Sequence, residues 1–301
     1  MSLQQSYRPK SLKTFVGNKD VITSLKTLLK RENPPSAFLF TGPGGCGKTT
    51  LGRIVARQLG CKKIDYKELN SADDRKLDGM RKLISDMKFT PYGKKKVTLL
   101  DEFHQVRKDS QEALLKALEE PPLHMHWILC TTNPEALKQT IKRRCHTYEL
   151  ESLKDADLHK LMTMVLKAEK RDDAITTEVR EKIIELSDGS AGIALKLLDM
   201  VIDMDSVDRA MNTLKSAGTG ESEVIEICRV LSNMNMPTKT RWVKVKKLLK
   251  EFKGDGESAR RPIAGYLASV LLNNGGIEIA YMLEHFEKNF FDSGKAGLIL
   301  A

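Results

Sequence analysis

Residues 38–50, F-L-F-T-G-P-G-G-C-G-K-T-T, limit what this chain can become more than any other stretch in it. Gly42, Gly47, Lys48 and Thr49 fill the fixed places of G-x-x-x-x-G-K-[ST]. That pattern carries weight only between a buried strand and a helix, and both are legible. Residues 37–40 form an unbroken apolar run, as a parallel strand covered on both faces requires. From Lys48 onward, Leu51, Ile54, Val55 and Leu59 recur at helical spacing. A glycine-rich turn into a helix aims successive N–H groups at one point, beside the partial positive charge of the helix N-terminus, which suits a polyphosphate. Lys48 is then expected at the β- and γ-phosphates and Thr49 at Mg²⁺, which makes ATP with Mg²⁺ the expected ligand. The expected contact set is Gly42, Gly44, Gly45, Cys46, Gly47, Lys48, Thr49 and Thr50.

A second signature follows about fifty residues on. V-T-L-L-D-E, residues 97–102, reads as a buried strand ending in two carboxylates. Asp101 is expected to join the Mg²⁺ shell. Glu102, one residue further, is expected to orient and deprotonate a water. A strand end with two solvated acids is the alternative, and its pairing with a phosphate loop argues against it.

The chain has 301 residues, too long for one core, so two or three domains are expected. With 50 basic and 40 acidic residues the formal net charge is +10, which favours an anionic partner without naming one. Five scattered cysteines with no C-x-x-C pair indicate neither a zinc module nor a disulfide framework, and fit a reducing compartment. The N-terminus lacks an apolar signal core and no run approaches a membrane span, so a cytoplasmic protein without a membrane partner is expected.

The flanking segments set the organisation. Tyr7-Arg8-Pro9 is extended, because Pro9 disfavours the α region at Arg8. Asn18 or Asp20 caps a helix running to Lys30. Residues 62–70 read as a strand and 73–88 as a charged helix carrying Lys76, Arg81 and Lys82. Phe89 and Tyr92 mark the loop after it. Ser110 is placed to cap the next helix, preceded by Arg107 and Lys108. Residues 126–132 form another buried strand. His124 and His126 have no third ligand nearby, so a metal role is not expected. From Glu151 the pattern is helical throughout, with helices at 155–170, 176–186 and 191–204. S-A-G-T-G-E, residues 216–221, reads as a boundary before more helices. The expected domains are an α/β nucleotide-binding domain with a parallel five-stranded sheet at 1–150, a helical lid at 151–215 and an all-α collar at 216–301.

Longer stretches resemble the ATPase subunits of sliding-clamp loaders, within the AAA+ family. Y-R-P-K-S-L-K-T-F-V-G resembles the family's opening, which implies that Tyr7, Arg8, Val16 and Gly17 border the adenine. E-L-N-S-A-D-D-R-K-L-D resembles replication factor C small subunits. The blocks V-T-L-L-D-E-F-H-Q-V-R-K-D-S-Q-E-A-L-L-K-A-L-E-E-P-P and T-T-N-P-E-A-L-K-Q-T-I-K-R-R-C resemble bacterial and archaeal loaders, among them the bacterial tau and gamma subunits. The lack of a cysteine-rich insert after Cys61 departs from the bacterial motor subunit and points to an archaeal or phage type. The resemblance implies a γ-phosphate sensor at Thr132 or Asn133. It also implies an arginine finger at Arg144, with Arg143 as the alternative, donated to the ATP of a neighbouring subunit. The family's lid motif G-x-x-R reads G-S-A-G here, with Gly192 at the arginine's place and Lys196 one turn on. What the resemblance implies is a ring of five subunits that opens a sliding clamp and loads it onto primer–template DNA. Lys76, Arg81, Lys82, Arg107 and Lys108 are then expected to face the DNA. The alternatives are another AAA+ motor, such as a branch-migration helicase or a remodelling chaperone, and a weakly hydrolysing structural subunit of a loader.

Overall fold

The computed structural model describes residues 2–71, 77–171, 175–233, 236–252 and 256–286. The chain divides into two compact units, Met1–Val207 and Asp208–Ala301. In the first, α1 (Leu3–Ser6) and α2 (Lys19–Leu28) precede β1 (Ala37–Thr41) and α3 (Lys48–Gln58). Then come β2 (Cys61–Asn70), α4 (Leu77–Asp86), β3 (Lys95–Asp101), α5 (Lys108–Glu119), β4 (Met125–Thr131), α6 (Gln139–Arg144) and β5 (His146–Glu149). Three helices complete the unit: α7 (Asp155–Ala168), α8 (Thr177–Ser187) and α9 (Ala191–Val201).

The five strands pair in parallel in the order β2-β3-β4-β1-β5, as the α/β expectation requires. Alternation along each strand divides the apolar residues between two faces. Phe38, Phe40, Val97, Leu99, Ile128 and Cys130 pack with α2 and α3. Ala37, Leu39, Leu100, Trp127 and Leu129 pack with α4 and α5. This is why β1 and β4 read as continuous apolar runs: every residue of both is buried. Each fully buried large side chain contributes about 1.5–3 kcal/mol relative to exposure. The order also carries β1, β3 and β4 side by side to one sheet end, so that Thr41, Asp101 and Thr131 finish together, at the end where open α/β sheets bind ligands.

The helices α7–α9 join the sheet end through the backbone. Leu150 N donates to Thr41 O at 2.8 Å, and Leu153 N donates to Gly189 O at 2.9 Å. Asn18 stands at the N-cap position of α2 in a left-handed conformation, but its side chain does not cap. It is spent on residue 151 instead, accepting from Glu151 N at 2.9 Å and donating to Glu151 O at 3.1 Å. Ser110 is likewise no cap. It is buried inside α5, whose N-cap position is Arg107. The charged helix begins at Leu77, and Asp73, Asp74 and Lys76 lie outside the described residues.

The second unit holds most of α10 (Val207–Ser232), with α11 (Thr238–Glu251), α12 (Gly256–Asn274) and α13 (Ile277–His285). Val224, Ile227, Phe252, Ala259, Ile263, Leu267, Ile279 and Phe286 form its core. Residues 216–221, which read as a break, are helical: α10 passes straight through them, and the units part at Val207 and Asp208 instead. Each helical glycine costs about 1 kcal/mol. Here the apolar stripe continues in register on both sides of the glycines, through Ala210, Leu214, Val224 and Cys228, and the glycines do not interrupt it. Among the described residues, no helix is long and apolar enough to cross a membrane.

Candidate nucleotide-binding and catalytic site

The turn from β1 into α3 needs glycine for a physical reason. Gly45 and Gly47 have φ of +74° and +99°, the left-handed region that side chains avoid. This curl encloses Lys48, only 5% exposed, whose Nζ donates to Gly42 O at 2.8 Å and Pro43 O at 2.6 Å. The ammonium is thus held inside the loop. Cys46 Sγ lies 3.9 Å from it, and burial raises the Cys46 thiol pKa.

The two sequence signatures meet at the end of the sheet. Thr49 Oγ1 donates to Asp101 Oδ2 at 2.7 Å, and the other Asp101 oxygen accepts from Glu102 N at 3.1 Å. A hydroxyl and a carboxylate oxygen at this separation form a hard-oxygen pair that fits a Mg²⁺ ion, and they are the residues that would hold one. Glu102 has φ 49° and ψ 42°, a conformation rare outside glycine. Strain of this kind collects at functional sites. Its carboxylate faces two groups. Thr132 Oγ1 donates to Oε2 at 3.4 Å, and His104 Nδ1 stands 3.3 Å from Oε2 and 3.2 Å from Thr131 Oγ1.

A cavity of about 220 Å³ opens over this end of the sheet. Tyr7, Arg8 and Val16 line it together with Gly44 through Thr50, Asp101 and Glu102. Tyr7 donates its hydroxyl to Glu169, a bond that raises the phenol pKa. Gly17, Gly42, Thr132 and Asn133 are outside the lining. Gly17 packs against α7's approach, where a β-carbon would come 2.3 Å from Leu153 Cδ2. The Asn133 side chain accepts from Glu135 N and Ala136 N, capping the short turn that follows it.

Sequence reasoning missed the far wall. Phe15, Leu153, Leu161, Ala191 and Leu195 close it, apolar residues whose spacing says only that they are buried. Gly192 also lines the wall, and a β-carbon there would sit 2.9 Å from Gln4 Nε2. Lys196 is exposed on α9 and lines nothing in the cavity. Arg144 lies at the end of α6, outside the lining, ion-paired with Glu119 and donating to Thr140 O at 3.0 Å. Arg81 and Lys82 on α4, and Arg107 and Lys108 at the start of α5, are exposed on two helices that pack together.

This architecture defines the class: the chain has the fold of the AAA+ ATPases. A single-residue mutant of RuvB from Thermotoga maritima superposes with a TM-score of 0.63 at 21% identity, over 82% of this chain and 89% of that one. A second RuvB variant gives 0.63 at 20% identity, over 94% of this chain and 99% of that one. At such identities the likeness speaks for fold alone.

Sequence comparison narrows the class. Residues 67–154 match the family described as DNA polymerase III, delta subunit. The chain is 30% identical over 219 residues to the DNA polymerase III subunit gamma of Buchnera aphidicola, covering 65% of this chain and 60% of that protein. It is 31% identical over 227 residues to the tau/gamma subunit of Haemophilus influenzae, covering 67% of this chain and 32% of that protein. With the tau subunit of Escherichia coli it shares 31% over 224 residues, covering 66% of this chain and 34% of that protein. The chain therefore spans between about a third and three-fifths of these relatives' length. Over the matched two thirds it is similar to the gamma and tau subunits of DNA polymerase III, in line with the resemblance carried by its sequence blocks.

Proposed function

We propose that this chain is an ATPase subunit of a sliding-clamp loader, acting in DNA replication by opening a clamp and placing it on primer–template DNA. The observation that carries this is the Thr49–Asp101 contact of 2.7 Å under a glycine-curled loop, in a chain similar to polymerase III gamma and tau subunits. In this reading ATP is the substrate. The backbone N–H groups of residues 44–50 and Lys48 bind its phosphates, with Mg²⁺ held by Thr49 and Asp101. Tyr7, Arg8 and Val16 border the base. Glu102 takes the proton of the attacking water, and Thr132 and His104 orient its carboxylate. A positioned base contributes about 10²–10⁴ in rate.

Arg144 serves the neighbouring subunit's ATP in an assembly with other loader subunits, five in the ring expected from the sequence. Residues 151–207 act as the lid and the second unit as the collar. Arg81, Lys82, Arg107 and Lys108 track the DNA backbone without reading bases. Turnover measured with and without primed DNA and clamp tests the reading. ATP hydrolysis by the assembled complex is expected to rise when both are present. Turnover indifferent to both removes clamp loading and leaves an AAA+ ATPase of another kind.

A further inference from the structure

The second unit carries a surface that the ATPase reading does not use. Along α11, Lys239, Trp242, Val243, Lys246, Lys247 and Lys250 fall at i, i+3, i+4, i+7, i+8 and i+11, one continuous stripe of a helix. All six are exposed. Trp242 is 48% exposed and Val243 63%, while the opposite side, with Val245 and Phe252, is buried. Arg241, only 9% exposed, fixes the helix by donating to Leu231 O and Met236 O at 3.3 and 3.4 Å. The stripe thus combines four lysines with an open indole, has no acidic residue, and sits on an anchored helix.

We infer that this face of α11 binds single-stranded DNA, the bases stacking on Trp242 while Lys239, Lys246, Lys247 and Lys250 follow the phosphates. An aromatic platform among cations is the chemistry by which proteins hold single strands without sequence preference. The row of lysines spans about 16 Å, enough for a few nucleotides. Other occupants fit less well. Two copies of this stripe set face to face would oppose lysine to lysine. A lipid surface needs a wide apolar face, and here that face is already buried in the core, leaving only Trp242 and Val243 outside. The inference does not depend on the clamp-loader reading.

The full chain has two tryptophans, and Trp127 is fully buried, so Trp242 is the fluorophore a bound base can reach. Titration with oligo-dT at low salt is expected to quench the emission. Trp242→Ala, which lacks the reporting indole and is therefore followed by the anisotropy of fluorescein-labelled oligo-dT, should weaken binding about ten-fold or more, the loss of one stacked base. Lys246→Glu, Lys247→Glu and Lys250→Glu combined should lower the log–log salt slope by about 2. Both variants alter exposed positions and leave Lys82, Arg107 and Lys108 in place, so DNA held elsewhere on the chain is unaffected by them. Oligo-dT that binds both variants as it binds the unaltered chain overturns the inference. So does a Trp242→Ala chain that binds normally but loses self-association, which would make the stripe a contact between copies. Quenching by anionic vesicles and not by oligo-dT overturns it as well.

Discussion

Gly45 and Ser190, 145 positions apart in sequence, approach so closely that a β-carbon on Gly45 would lie 2.0 Å from Ser190 Oγ. The same hydroxyl accepts from Ile193 N at 3.3 Å and caps α9. The phosphate loop and the third helix of the α7–α9 trio are therefore in direct contact. A side chain at 45 must displace the cap, and it must also adopt a φ of +74°. Gly45→Ala is expected to cost about 1–3 kcal/mol. Ser190→Ala alone should cost about 1 kcal/mol, the usual value of an N-cap. Because the second change removes the atom that the first one strikes, the double variant should cost less than the sum by at least about 0.5 kcal/mol. Additive costs in denaturant unfolding would show that the contact carries no coupling.

Glu102→Gln keeps the shape and the hydrogen-bond reach toward Thr132 but cannot take a proton. Nucleotide affinity is expected to stay within a few-fold, while turnover falls by about 10²–10⁴. Single-turnover hydrolysis in the assembled complex measures this. Turnover at the unaltered level excludes Glu102 from proton transfer.

His126 gives the fold a pH dependence. Its Nδ1 donates to Pro35 O at 2.8 Å, and its Nε2 is buried with no partner among the described residues. Protonation would put a second N–H into that dry place. Burial accordingly lowers the His126 pKa to about 4, with Lys95 and His124 adding to the effect. The unfolded chain, titrating near 6.5, binds the proton first. Stability from this residue is complete above pH 6.5 and is lost as pH falls toward 4. His126→Asn keeps a donor for Pro35 O and does not titrate. Between pH 7 and 5 its melting temperature should fall less than that of the unaltered protein. Equal falls would place the acid sensitivity elsewhere.

Arg144 tests whether sites are shared between chains. Within one chain it pairs with Glu119 outside the cavity. Arg144→Ala should leave nucleotide binding by the isolated subunit nearly unchanged and lower turnover in the assembly by as much as about 10³-fold. Chains carrying Arg144→Ala and chains carrying Glu102→Gln should partly restore activity when mixed, since some interfaces then combine an intact base with an intact finger. Mixed assemblies no more active than either variant alone would assign Arg144 a structural part, or shift the finger to Arg143.

Much of this molecule was legible in its sequence because backbone geometry leaves a strong residue signal. The loop at 42–49 demands glycines and a lysine at fixed spacing, and the buried strands demand unbroken apolar runs. Asp101 and Glu102 were placed by the strand they terminate. What could not be read depends on contacts between distant segments. Asn18 has the chemistry of a helix cap, yet residue 151, far along the chain, claims its side chain. The glycines near 218 look like a boundary, but a continuous buried stripe on either side holds the helix together. His104 reaches Glu102 only because of the turn at residues 103–105, and Phe15, Leu161 and Leu195 meet over the cavity only through tertiary packing. Nothing in their spacing distinguishes them from ordinary core.

The central claim is tested most directly by following a sliding clamp onto DNA. A labelled clamp is mixed with a closed circular primed template, the assembled loader and ATP, and clamp retained on the circle is counted after gel filtration. The proposed function predicts retention that needs ATP and this subunit, and that disappears with Lys48→Ala, which removes the cation now enclosed by Gly42 O and Pro43 O. Clamp retained equally with Lys48→Ala, in a complex whose only source of that subunit is the altered chain, would contradict it.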